Sequence, residues 1–181
     1  LVLLRAESMR SEKVLAADIN GGALKLFRPL PAAVSSAANP LTADKVDLGR
    51  MLYYDPRLSR SRDISCNTCH PLDRYGVDGA PVSTGDRGRQ GARNAPSVYN
   101  AAGHFAQFWD ARAPDVEQQA KGPLLNPDEM AMPSEAGVAA VVASIPEYRA
   151  LFRRAFPGQA NPVSFDNLVR AIGAFERRLV T

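Results

Sequence analysis

Cys66, Cys69 and His70 stand together as Cys-Asn-Thr-Cys-His, the C-x-x-C-H arrangement that attaches haem c. Residues three apart share one face of a helix, so both thiols can reach the two vinyl groups along one porphyrin edge. The thioether bonds would fix the macrocycle, and His70 is placed to ligate the iron from its proximal side. Two other chemistries use C-x-x-C. A zinc site needs further ligands, and His104 is the only other histidine. A thioredoxin-like redox pair needs a βαβ context, which the pattern lacks. One covalent haem c is therefore the expectation. Haem c is attached outside the cytoplasm, so the expected compartment is the periplasm.

The elements that must position this motif read as helices. Thr42 is a candidate N-cap for a helix with Val46, Leu48, Met51 and Leu52 on its apolar face, ending near Asp55-Pro56. Ser134 can cap a helix bearing Val138, Val141, Val142 and Ile145. Pro146 opens the next, with Tyr148, Leu151, Phe152 and Phe156 on one face, and Pro157-Gly158 stops it. Ser164 begins the last, with Phe165, Leu168, Val169, Ile172, Phe175 and Leu179 along one side. Between them, residues 73–100 are rich in Gly, Pro, Asp, Ser and Arg and read as a long ordered loop over something bulky. The expected fold is mostly α: a cytochrome c-like haem domain with a long ordered loop over the haem. Residues 1–40 read as an N-terminal extension, with a short helix over 15–27 interrupted by Gly21-Gly22, and residues 41–181 as the mono-haem domain.

The 181 residues, 45% hydrophobic and 23% charged, have ordinary globular values, which argues against disorder. A net charge of +3 without a basic stripe gives no reason to expect a nucleic-acid partner and mildly favours an acidic docking partner. Two cysteines three apart exclude a disulfide framework. The opening Leu1-Val2-Leu3-Leu4 is far short of the roughly 20 apolar residues of a membrane span, so no transmembrane segment is visible.

Longer strings carry a family resemblance. They are Leu26-Phe27-Arg28-Pro29-Leu30-Pro31, the run from Leu48-Gly49-Arg50 to Arg57-Leu58-Ser59, Arg93-Asn94-Ala95-Pro96-Ser97, Ala106-Gln107-Phe108-Trp109-Asp110-Ala111-Arg112, Glu129-Met130, Ile145-Pro146-Glu147-Tyr148, and Ala171-Ile172-Gly173-Ala174-Phe175-Glu176. Together, from about residue 26 to the end, the chain resembles the N-terminal, peroxidatic haem domain of bacterial dihaem cytochrome c peroxidases. That family includes the related dihaem enzymes that mature a tryptophan-derived quinone cofactor. The resemblance implies reduction of hydrogen peroxide with electrons from a partner cytochrome or cupredoxin, or from a second haem on the same or another chain. It implies that Gln119, Pro123 and Glu129 line the distal pocket, that Trp109 lies between two haems, and that Asn94 binds a calcium ion at the domain junction. The chemistry is consistent. Cleaving an O–O bond needs a group that moves a proton from the near oxygen to the leaving oxygen, and a carboxylate in a partly desolvated pocket has its pKa raised toward that task. Gln119 can hydrogen-bond a peroxide. Taken singly, Gln119 and Glu129 would read as solvated residues, Pro123 as loop punctuation, Trp109 as a core aromatic and Asn94 as a turn residue.

Two departures from the family pattern matter. Many members carry a histidine sixteen residues after the proximal one, which ligates the resting iron; here that position is Asp86. A carboxylate replaces an imidazole poorly, so the expectation is a five-coordinate or water-bound haem that meets peroxide without prior reduction. His104, Met130 and Met132 are the alternative sixth ligands, and a methionine would suit electron transfer. The second departure is that the sequence stops at about the point where the family's second domain starts, with no second C-x-x-C-H. A mono-haem electron-transfer subunit of a larger redox complex is thus the alternative to a peroxidase-like oxidoreductase.

Overall fold

A computed structural model describes residues 21–25 and 27–181. The chain divides between Leu30 and Pro31 into two units. Of the expected helix over 15–27, residues 15–20 and 26 lie outside the described residues; Gly21–Leu24 forms one helical turn that includes both glycines.

The second unit is built on helices α1 (Ala43–Tyr53), α2 (Cys66–Cys69), α3 (Val116–Leu125), α4 (Glu135–Ala143), α5 (Pro146–Ala155) and α6 (Phe165–Glu176). Their starts follow local chemistry. The side chains of Thr42, Asp115, Ser134 and Ser164 each accept a hydrogen bond from the backbone N–H three residues on, satisfying a donor that the first turn leaves free. Pro146 sits at the start of α5, where a missing N–H costs nothing. Among the described residues β-structure is confined to two isolated bridges, Thr84 with Gln90 and Gln107 with Ala113. The protein is therefore mostly α, as the sequence pattern predicts.

Helix α6 is the centre of the unit and packs against α1, α3 and α4. It is buried on nearly every side, not along one stripe, because the haem-motif side of the molecule also lies against it. Its crossing with α1 is made at Gly49: a Cβ there would stand 1.8 Å from the carbonyl oxygen of Ala171, so only glycine lets the two backbones approach. Leu48, Leu52, Phe152, Leu168 and Ile172 close the core around this crossing, each worth roughly 1.5–3 kcal/mol of burial.

Two features differ from the sequence reading. Gly122-Pro123 reads as loop punctuation, yet α3 runs through it to Leu125. Proline cannot supply the N–H that would bond back to residue 119, and the helix survives because its Val116, Ala120 and Leu124 face is buried in tertiary contacts. The unit also begins ten residues before the expected boundary at 40/41. Asn39 is the reason: its Nδ2 donates to Glu117 Oε1 and to the Arg170 carbonyl, both at 2.8 Å, and Val34 N–H donates to the Arg177 carbonyl at 2.9 Å. Glu117 in turn accepts two 2.8 Å bonds from Arg177. All three side chains are buried.

Candidate functional site

The C-x-x-C-H motif forms its own helical turn, α2. Ser65 N–H donates to Thr68 Oγ1 at 2.9 Å to start it, and His70 N–H donates to the Cys66 carbonyl at 2.9 Å to end it. Two tyrosines pin the turn to the core: Tyr53 donates its hydroxyl to the His70 carbonyl at 2.6 Å, and Tyr99 to that of Leu72 at 2.9 Å. Cys66 and Cys69 are free thiols facing a cavity of about 530 Å³, within the roughly 300–1,000 Å³ usual for cofactor sites. Burial pushes the Cys66 thiol up to about 12.

His70 Nδ1 lies 3.2 Å from the Gly76 carbonyl and 3.0 Å from that of Pro96. Carbonyls only accept, so Nδ1 carries the proton and Nε2 keeps its lone pair. Gly76 reaches this place through a left-handed turn, with Tyr75 at φ 61° and Gly76 at φ 71°; a Cβ on Gly76 would meet Val98 at 2.9 Å. Burial holds the His70 imidazole below its ordinary pKa and keeps it neutral. Two thiols and an oriented, neutral imidazole on one cavity wall fit a covalently held haem.

Gln119 and Pro123, one turn apart on α3, line the same cavity, as does Glu129. Glu129 sits in a tight turn after α3: Met130 N–H donates to the Pro123 carbonyl at 3.1 Å and Ala131 N–H to that of Asn126 at 2.9 Å. Its Oε1 accepts from Asn126 Nδ2 at 2.7 Å, while Oε2 has no hydrogen-bond partner among the described residues. Burial raises its pKa, against the pull of Asn126 and Arg112. Trp109 stands at the rim, 61% exposed, not in the core; its Nε1 donates to the Asn94 carbonyl at 3.0 Å. Asn94 is exposed, and among the described residues no group of three or more His, Cys, Asp or Glu side chains converges to hold a metal ion. Asn94 alone does not make a calcium site.

Asp86 is buried but is not part of the cavity wall. Its carboxylate accepts from the hydroxyl and the N–H of Ser61, its own N–H donates to the Glu129 carbonyl at 2.7 Å, and the Ser61 hydroxyl holds its pKa low. The residue that replaces the family's histidine thus braces the Glu129 turn. Of the other candidate ligands, Met130 and His104 line the cavity and Met132 does not; Met130 is buried in the core cluster and His104 is exposed at the rim. Sequence reasoning assigned no role to Glu176, a cavity-wall carboxyl at the end of α6. A lone acid on that helix's apolar stripe, four residues after Ile172, was the available signal.

A helical domain in which one cavity brings a C-x-x-C-H turn together with a second set of polar groups has the lining of a haem c site. The family model for di-haem cytochrome c peroxidase matches residues 43–181, and the chain belongs to that family. It is 47% identical over 157 residues to the cytochrome c551 peroxidase of Pseudomonas aeruginosa, covering 86% of this chain and 45% of that protein. It is 40% identical over 155 residues to the methylamine utilization protein MauG of Methylorubrum extorquens, covering 86% and 43%. Among solved structures, a MauG-like protein associated with microbial copper homeostasis matches with a TM-score of 0.78 at 34% identity, over 86% of this chain and 46% of that one. The chain spans less than half the length of these relatives. No helix among the described residues is long and apolar enough to cross a membrane.

Proposed function

We propose that this chain carries the peroxide-reducing haem of a periplasmic cytochrome c peroxidase-like enzyme, with the part of the expected extension before residue 31 standing ahead of the mono-haem domain. One observation carries the reading: Cys66, Cys69 and the free Nε2 of His70 share a cavity with Gln119, Pro123 and a Glu129 whose pKa is raised. The relatives named cytochrome c peroxidase support it. The reaction is H2O2 plus two electrons and two protons to two waters. The haem would supply the iron that binds peroxide and passes it electrons. Glu129 Oε2 accepts the proton of the near peroxide oxygen and returns it to the leaving one, while Asn126 holds Oε1 and fixes the carboxylate's direction. Gln119 orients the peroxide by hydrogen bonding. Pro123 contributes an apolar wall and, through its carbonyl, the turn that carries Glu129. Asp86 is bound to Ser61 and lies outside the cavity wall, so it would not be among the residues that hold the haem, and peroxide would reach the group without a ligand from this position being displaced.

Electrons come from a partner cytochrome or cupredoxin, or from a second haem-bearing domain or chain that docks over Trp109. Asn94 would give one oxygen to a calcium ion whose other ligands lie in that second domain.

The test is the optical and EPR spectrum of the purified oxidised holoprotein, followed by peroxide consumption with a reduced small cytochrome c. A high-spin ferric signal and turnover that fails in Glu129→Gln are expected. A low-spin signal unmoved by peroxide would overturn the reading and leave a mono-haem electron carrier.

A further inference from the structure

Of the carboxyls in the cavity wall, the proposed chemistry uses Glu129 and leaves Asp128, which is exposed and paired with Arg89, and Glu176, which is buried. Glu176 ends α6, is only 6% exposed, and lines the cavity beside Cys66. Its side chain has no hydrogen-bond partner among the described residues. The nearest cation, Arg177, is spent: Nε and Nη2 each donate to Glu117 at 2.8 Å. The groups nearest Glu176 are therefore Tyr53 from α1, Glu117 from α3, Arg177 at the end of its own helix, and Cys66 from α2, with Arg93, His104, Arg112, Asp128 and Glu129 elsewhere in the same cavity wall. Helix α4 carries no charged side chain after Glu135. Covalent attachment of haem would turn Cys66 into an uncharged thioether, and Tyr53 commits its hydroxyl to the His70 carbonyl. Glu117 and Arg177 neutralise each other. A charge change inside the cavity is thus felt at Glu176, whose carboxylate has no hydrogen-bonded partner to hold it.

We propose that Glu176 couples reduction of the haem to uptake of one proton. An electron from the donor converts Fe(III) to Fe(II), and a proton from solvent adds to the Glu176 carboxylate. The extra positive charge of the ferric centre favours the ionised carboxylate, and its loss on reduction lets the buried group return to its neutral form. Burial already pushes this carboxyl up to about 8, with the Glu117 charge adding to the effect and Arg177 opposing it. The coupling therefore operates at and below about that pH. The inference rests on the haem site and not on peroxide as the substrate, so a negative peroxidase assay leaves it standing. Absence of covalent haem would show directly in the optical spectrum.

The experiment is a spectroelectrochemical titration of the holoprotein from pH 6 to 9, giving the reduction potential at each pH as its readout. The potential falls as pH rises, approaching a slope of about 59 mV per tenfold change in proton activity for full one-electron, one-proton coupling. Glu176→Gln removes most of that slope, whereas Glu129→Gln leaves it. A flat wild-type profile, or a slope that survives in Glu176→Gln, overturns the proposal and moves the proton to a haem propionate or to Glu129. Should Glu176→Gln fail to mature, Glu176→Asp keeps the carboxyl and must retain a slope with a shifted midpoint. Redox-difference infrared spectra of the wild type give a second readout: a protonated-carboxyl C=O band must grow on reduction within that pH range, and its absence at every pH overturns the proposal.

Discussion

Two buried carboxyls lie close together with opposite fates. Outside the cavity wall, Glu117 accepts two bonds from Arg177 and one from Asn39. Burial pushes its carboxyl up, but these partners outweigh burial and hold it below its ordinary value. In the cavity, Glu176 has no such partners and is pushed up to about 8, and Glu129 is raised with one oxygen satisfied and one free. The Glu117 cluster shows how this chain satisfies a buried charge when the purpose is to fasten α3, α6 and residues 31–40 together. The cavity withholds that satisfaction, and unsatisfied carboxyls are the ones that can exchange protons.

The comparison can be broken from either side. Replacing both thiols in Cys66→Ala/Cys69→Ala has the largest effect, complete loss of covalent haem, read from the absorption spectrum of the denatured protein. Glu129→Gln lowers peroxide turnover by about 10²–10⁴-fold, the usual worth of a positioned acid–base group, and stopped-flow peroxide consumption measures it. Glu117→Ala strands Arg177 in the interior and costs about 3–5 kcal/mol by denaturant unfolding, with little change in the haem's optical spectrum. Thr42→Ala, remote from both carboxyls, costs only about 1 kcal/mol as a lost N-cap.

The pH dependence of stability sharpens the contrast because the two shifts have opposite signs. Glu117 has a depressed folded pKa, so its contribution is present above the ordinary carboxylate value of 4.5 and is lost as pH falls through the folded value. Glu176 has a raised folded pKa, so the folded state holds a proton that the unfolded chain releases. Stability then declines as pH rises from its ordinary 4.5 toward about 8 and levels off beyond. Thermal melts of the reduced holoprotein across that range show the decline in the wild type, a flatter profile in Glu176→Gln, and a weakened acid limb in Glu117→Gln.

Much of the helical frame was legible because its signals are local. The cap residues Thr42, Ser134 and Ser164, the stop at Asp55-Pro56 and the proline at the start of α5 each act within a few residues. The haem cradle was legible for the same reason: C-x-x-C-H needs only three-residue spacing. Helix α3 was hidden by Gly122-Pro123, since its stability comes from contacts distant in sequence. Asn39 fell within the expected extension over residues 1–40 because its partners stand 78 and 131 residues away. Asp86 read as a missing ligand, and the structure gives it a bracing role through Ser61 and the Glu129 carbonyl.

The amino-acid order alone determined that the protein is mostly α and that Cys66, Cys69 and His70 form one C-x-x-C-H turn, because helix period, capping and motif spacing are short-range properties. The family resemblance singled out Gln119, Pro123, Glu129 and Trp109 in the same linear way. Only the tertiary structure decided that Gln119, Pro123 and Glu129 share a cavity with the cradle, that Trp109 stands at its rim, and which of its buried carboxyls is paired. Burial and pairing depend on what the rest of the chain brings alongside a residue, and a one-dimensional pattern does not contain that information.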